Sequence, residues 1–150
     1  MLTLKPLLKA EIALAPALEV GDTPEGRRRI IAITGGRFWG ERLRGEVLAG
    51  GGDWQVIRAD GVAYLDTRYT LRTDDGALIY VRNVGYRHGP AEVLKRVAAG
   101  EPVDPSEYYM RTTPWYETGD ARYTWINRIV CVATGARRAS AVELDVYEVL

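Results

Sequence analysis

Apolar and polar positions alternate with a period of two along most of this chain, and glycine breaks the alternation at short intervals. Runs rich in β-branched and aromatic residues between such breaks read as strands joined by tight turns. The pattern predicts strands near 2–14, 28–38, 42–48, 53–58, 62–73, 77–87, 107–113, 122–133 and 139–149. Asp60-Gly61 and Asp74-Asp75-Gly76 mark hairpin turns, because Asp and Gly tolerate the backbone angles such turns demand. Gly50-Gly51-Gly52 is a third turn. One stretch, Pro90 to Ala99, reads as a helix: proline opens it, Val93, Leu94 and Val97 share a face, and Gly100 stops it. Glu101 to Ser106, with Pro102 and Pro105, reads as an irregular loop.

Nine strands and one short helix fit a single all-β, mainly antiparallel domain over residues 1–150. A closed or nearly closed barrel is favoured, because closure removes exposed sheet edges and a run as long as 62–73 suits a curved wall. A two-sheet sandwich is the alternative.

Composition narrows the function classes. Apolar residues make up 47% of the chain and charged residues 27%, with a formal net charge of zero. A nucleic-acid binder draws most of its affinity from a basic excess, and none is present, although Arg27-Arg28-Arg29 and Arg137-Arg138 are local clusters. One cysteine, Cys131, leaves no disulfide, and one histidine, His88, leaves no multi-histidine metal site. Cys131 stands among apolar strand neighbours and reads as inert. Lys5, Pro6, Lys9 and Glu11 interrupt any signal-peptide core, and no apolar run approaches a membrane span. The expectation is a cytoplasmic protein with no nucleic-acid partner, no membrane and no metal. The glycine triplet lacks the Lys-Ser/Thr of a phosphate loop, and no dinucleotide fingerprint or serine elbow occurs, so no cofactor is expected.

A more specific pattern lies in Gly35-Gly36-Arg37-Phe38-Trp39-Gly40, Gly51-Gly52-Asp53-Trp54, Leu65-Asp66-Thr67-Arg68-Tyr69, Asp75-Gly76-Ala77, Glu117-Thr118 and Tyr123-Thr124-Trp125-Ile126-Asn127-Arg128. In this order and spacing, over about residues 2 to 149, the chain resembles the domain of unknown function 3237 family. Met110 departs from that pattern, which often has an aromatic residue there. The resemblance implies a lipocalin-like antiparallel barrel and no particular activity.

Candidate chemistry follows from the faces of the strands. On 62–73, Asp66 and Arg68 share one face and Leu65, Tyr69 and Leu71 the other. Either the charged face meets solvent, or it turns into the lumen. Asn83 shares a face with Ile79 and Val81, where it either bonds a loop or meets a ligand. On 122–133, Tyr123, Trp125, Asn127, Ile129 and Cys131 align, and Asn127 would be the polar group of that row, holding a ligand carbonyl or a turn. Arg111 could clamp a carboxylate or enolate, or pair with Glu117 or Asp66. Glu117, after Pro114-Trp115-Tyr116, could act as a general acid or base. Asp53 reads as a turn cap, and His88 as a loop residue.

Two function classes fit. One is a cavity for a small anionic or enolisable organic ligand, walled by aromatics such as Trp54 and Trp125, with cofactor-free proton transfer of isomerase, cyclase or hydratase type. Asp66 and Glu117 would then move protons, and Arg68, Arg111, Asn127 and Asn83 would hold the ligand. In particular, Asp66, Arg68, Arg111 and Asn127 are expected to converge on one cavity. The other class is a non-catalytic carrier or a structural barrel, including a homo-oligomer.

Overall fold

The structure, a computed structural model, describes residues 1–150. Ten strands run in order: β1 (Leu4–Leu14), β2 (Leu18–Thr23), β3 (Gly26–Trp39), β4 (Arg44–Val47), β5 (Gly52–Ile57), β6 (Ala63–Thr73), β7 (Leu78–His88), β8 (Tyr109–Glu117), β9 (Cys131–Arg137) and β10 (Ala141–Val149). One α-helix, α1 (Ala91–Ala98), follows β7. Every pairing is antiparallel.

β1 pairs with β10 on one side and β3 on the other, which closes the sheet into a barrel. β4 and β5 both lie between β3 and β6, so they form one stave broken at the glycine triplet. The result is an eight-stave barrel. β2 pairs with β3 alone and carries the wall beyond the end of β1. The closing seam is tight. At Gly36, φ is +140°, and a Cβ would stand 2.2 Å from the Glu11 carbonyl oxygen, so only glycine fits there.

Alternation sends one face of each stave inward. The larger core cluster, including Ile12, Phe38, Leu71, Ile79, Val81, Tyr116 and Val146, fills one end of the lumen. A second cluster seats α1 through Val93 and Val97 against Ala63, Leu65, Val103, Tyr108 and Met110 at the other end. No helix is long and apolar enough to cross a membrane.

Two sequence expectations are corrected. The strand expected over 122–133 is a 3₁₀ segment, Ala121–Arg128, followed by β9. Asp120 accepts from the Arg122 backbone N–H at 3.0 Å and starts the turn, a local bond that alternation alone does not register. The strand expected over 107–113 runs instead to Glu117, through Pro114. β8 meets β9 only at Arg111 and Thr112, and beyond them it has β7 alone as ladder partner, an edge-like setting that tolerates proline. β2 had no predicted counterpart.

Candidate functional site

The polar part of the lumen lies at the α1 end, in rungs set by strand register. Ile31 stands opposite Asp53, Asp53 opposite Thr67, and Thr67 opposite Asn83. Nearer the mouth, Arg29 is opposite Gln55 and Gly85 opposite Thr112. At the mouth, Ala63 is opposite Arg87 and Arg87 opposite Met110. Gly85 lets β7 approach β8 closely here, since a Cβ would sit 2.1 Å from the Arg111 carbonyl oxygen. These rungs surround a cavity of about 40 Å³ floored by Tyr69. A vestibule of about 140 Å³ lies above it, roofed by Leu94, Val97 and Ala98 of α1. Ile31, Arg87 and Arg137 line both spaces and join them.

Asp53 is the one carboxylate among the residues lining these spaces. Its Oδ1 accepts from the Asp66 backbone N–H at 3.0 Å and its Oδ2 from Gln55 Nε2 at 3.2 Å. Burial pushes its carboxyl above the ordinary 3.8, and these bonds and the Arg87 charge offset that only in part. Gln55 Oε1 in turn accepts from Arg29 Nη1 at 3.0 Å and Arg87 Nη2 at 3.5 Å. Arg29 is paired with Glu19 at 3.0 Å. Arg87 and Arg137 have no carboxylate within ion-pair distance; Arg137 donates to the backbone carbonyls of Arg138 and Ala141. Burial pulls both guanidiniums below their usual value, Asp53 opposes this, and the neighbouring arginines add to it. The mouth is therefore a half-buried, cation-rich ring around one carboxyl, a setting that favours an anion.

This architecture has named relatives. The family model described as "Protein of unknown function (DUF3237)" matches residues 2–149. The chain belongs to the DUF3237 family. It is 46% identical over 130 residues to the UPF0311 protein RPA1785 of Rhodopseudomonas palustris, covering 87% of this chain and 85% of that one. A solved β-barrel like protein from Acinetobacter baumannii shares 47% identity and a TM-score of 0.88, over 100% of this chain and 97% of that one. A structure described as an enzyme from Penicillium herquei has a TM-score of 0.75 at 20% identity, covering 99% and 95%, and shows the shared fold alone.

In this DUF3237 barrel the residues expected to converge do not. Leu65 and Tyr69 face the core, which places Asp66 and Arg68 on the outer wall. There Asp66 Oδ1 lies 3.9 Å from Arg68 Nε and 3.6 Å from Arg82 Nε, beside a broad outer groove that also holds Trp115. Arg111 also points outward and donates to the Met110 carbonyl at 2.9 Å. Asn127, displaced from any strand, accepts from the Thr118 backbone N–H at 2.8 Å and donates to its carbonyl at 2.9 Å, so it ties down a turn. Glu117 ends β8 exposed. Trp54 is on the exposed face of β5, and Trp125 lies under the Arg42 guanidinium, 3.5 Å from its ring centre. His88 ends β7 and stacks on Tyr109 at 4.7 Å.

Of the residues expected to hold a ligand or move a proton, Asn83 alone lines the cavity, with Tyr69 of the expected aromatic walls. Sequence reasoning missed Gln55, Thr112 and the arginines of the mouth, and took Asp53 for a turn cap. The signal available was face arithmetic: Asn83 and Arg87 share a face of β7, as do Leu65, Thr67 and Tyr69 of β6.

Proposed function

We propose that this barrel binds a small organic anion at its α1 end and moves a proton on it with Asp53. The observation that supports this reading best is the pairing of opposites in one place. A single carboxyl raised by burial stands beside Arg87, a half-buried guanidinium with no carboxylate of its own. A carboxyl tuned upward toward working pH is suited to both accept and return a proton. On a ligand with an acidic C–H next to a carbonyl, the C–H bond breaks and its proton passes to Asp53. The electron pair moves to the carbonyl oxygen, and the enolate oxygen so formed is held by Arg87. Return of the proton to the other face of that carbon, or to a neighbouring carbon of the enolate system, completes an isomerisation without a cofactor. Arg137 and Arg29 would hold a carboxylate of the same ligand at the mouth.

Solvent-deuterium exchange at C3 of 2-oxobutyrate, followed by NMR in D2O, tests the reading. The wild type is expected to catalyse exchange, and Asp53→Asn to lower the rate roughly 100-fold or more. Arg87→Leu should weaken binding roughly 10- to 100-fold, whereas Arg111→Leu, on the outer wall, should leave the rate unchanged. Binding without exchange would make the barrel a carrier and overturn the catalytic half of the proposal.

A further inference from the structure

Two polar side chains inside the lumen have nothing to bond. Asn83 and Thr112 are 4% and 5% exposed, and Asn83 Oδ1 and Thr112 Oγ1 lack any hydrogen-bond partner. Both line the 40 Å³ cavity. A buried polar atom left unbonded is costly, and such atoms in native proteins usually meet a ligand or water. The outer wall offers no similar pair, since Asp66, the other unbonded buried oxygen, faces two guanidiniums.

Building on the anion site proposed above, we infer that the ligand is bipartite: an organic anion that carries a hydroxyl, with the hydroxyl inserted between Asn83 and Thr112. Three observations converge. The inner cavity is far too small for a whole organic ligand, so it receives only a small tip while the body stays in the 140 Å³ vestibule. A carboxamide and a hydroxyl together offer both donors and acceptors, and a hydroxyl answers both. A second anionic group is disfavoured there, because Asp53 shares the Asn83 rung through Thr67. Asn83 and Arg87 lie four residues apart on one face of β7, roughly 13 Å apart at Cα, and with the long Arg87 side chain taking up part of that distance a short spacer bridges the anion and the hydroxyl. A benzene ring or a short carbon chain meets that length. Asn83 is thus a specificity-determining residue, separate from the arginines that supply charge attraction.

The experiment compares 4-hydroxybenzoate with 4-methylbenzoate, which differ by hydroxyl against methyl at nearly equal size, by calorimetric titration. The wild type is expected to prefer the hydroxyl compound roughly tenfold or more, the usual penalty for stranding buried polar groups. Asn83→Leu should abolish or reverse the preference while both compounds still bind. It should also raise the melting temperature, because it removes an unbonded buried amide. Thr112→Val should narrow the preference in the same direction and guards against a single variant that misfolds. An unchanged preference in both variants, with Arg87→Leu still weakening both compounds, overturns this inference and leaves the anion site standing. Equal binding of both compounds to the wild type also overturns it. Failure of both compounds to bind the wild type, or indifference of binding to Arg87→Leu, defeats the anion site itself.

Discussion

At the scale of single residues, the account turns on Asp53. Its carboxyl is raised by burial, so between the ordinary value near 3.8 and the raised one the native state holds a proton that the unfolded chain has lost. Stability therefore falls as pH rises through that window, and the ionised carboxyl is a standing cost at neutral pH. Asp53→Asn keeps an oxygen for the Asp66 N–H and removes that cost. It should raise the melting temperature at pH 7, with the gain vanishing below about pH 4. Thermal melts across pH check this; a variant less stable at every pH would show that Asp53 is a strut. A residue kept at a cost to stability is typical of sites that work. Cys131 illustrates the opposite case: burial pushes its thiol up to about 12, and it belongs to the apolar core.

The legibility of the site divides at this same scale. Asn83 could be placed because Ile79, Val81 and Asn83 alternate on one strand, and β7 is regular from end to end. The same count reaches Arg87, but a charge just before His88-Gly89-Pro90 reads as a solvent-facing strand end. Asp53 follows two glycines, so it reads as a turn cap until β5 is known to continue the stave begun by β4. Asp66 and Arg68 show the reverse error. A charged face drew attention as chemistry when its ordinary place is the outer wall of an antiparallel sheet.

At the scale of elements, most strands and the tight turns at Asp60-Gly61 and Asp74-Asp75-Gly76 were legible, and the connection between β8 and β9 was not. Alternation set β6 and β7 to within a residue or two, because each faces the core along its whole length. It failed between Asp120 and Val130, where local side-chain bonds of Asp120 and Asn127 outweigh a strand-like sequence. It also passed over β2, whose pairing with β3 is a long-range fact. The helix α1 was legible from its proline start and its apolar face. It is eight residues long and has no side-chain N-cap, so its stability comes from Val93 and Val97 against the barrel end. A short roof over the vestibule should open locally more often than the staves. In native-state hydrogen exchange, the α1 amides should exchange faster than those of β6 and β7, and 4-hydroxybenzoate should slow them. Protection equal to that of the staves, unchanged by ligand, would mean that α1 is a fixed plug.

At the scale of the whole molecule, the barrel divides its lumen between two tasks. One end is packed with Phe38, Leu71, Ile79 and Tyr116 and holds the closed wall together; the other stays open, polar and cationic under α1. The net charge of zero hides this division, since many outer arginines are paired with carboxylates while Arg87 and Arg137 are not. Family membership agrees with the fold, and the rungs that gather Asp53, Asn83 and Arg87 follow from the register of β3, β5, β6 and β7. A crystal structure of the protein soaked with 2-oxobutyrate tests this division most directly. The account predicts its carboxylate at the mouth, within hydrogen-bond distance of Arg137 or Arg29, its C2 oxygen toward Arg87 and its carbon chain directed toward Asp53. Density in the outer groove of Arg68, Arg82 and Trp115, with only water at the mouth, would contradict it.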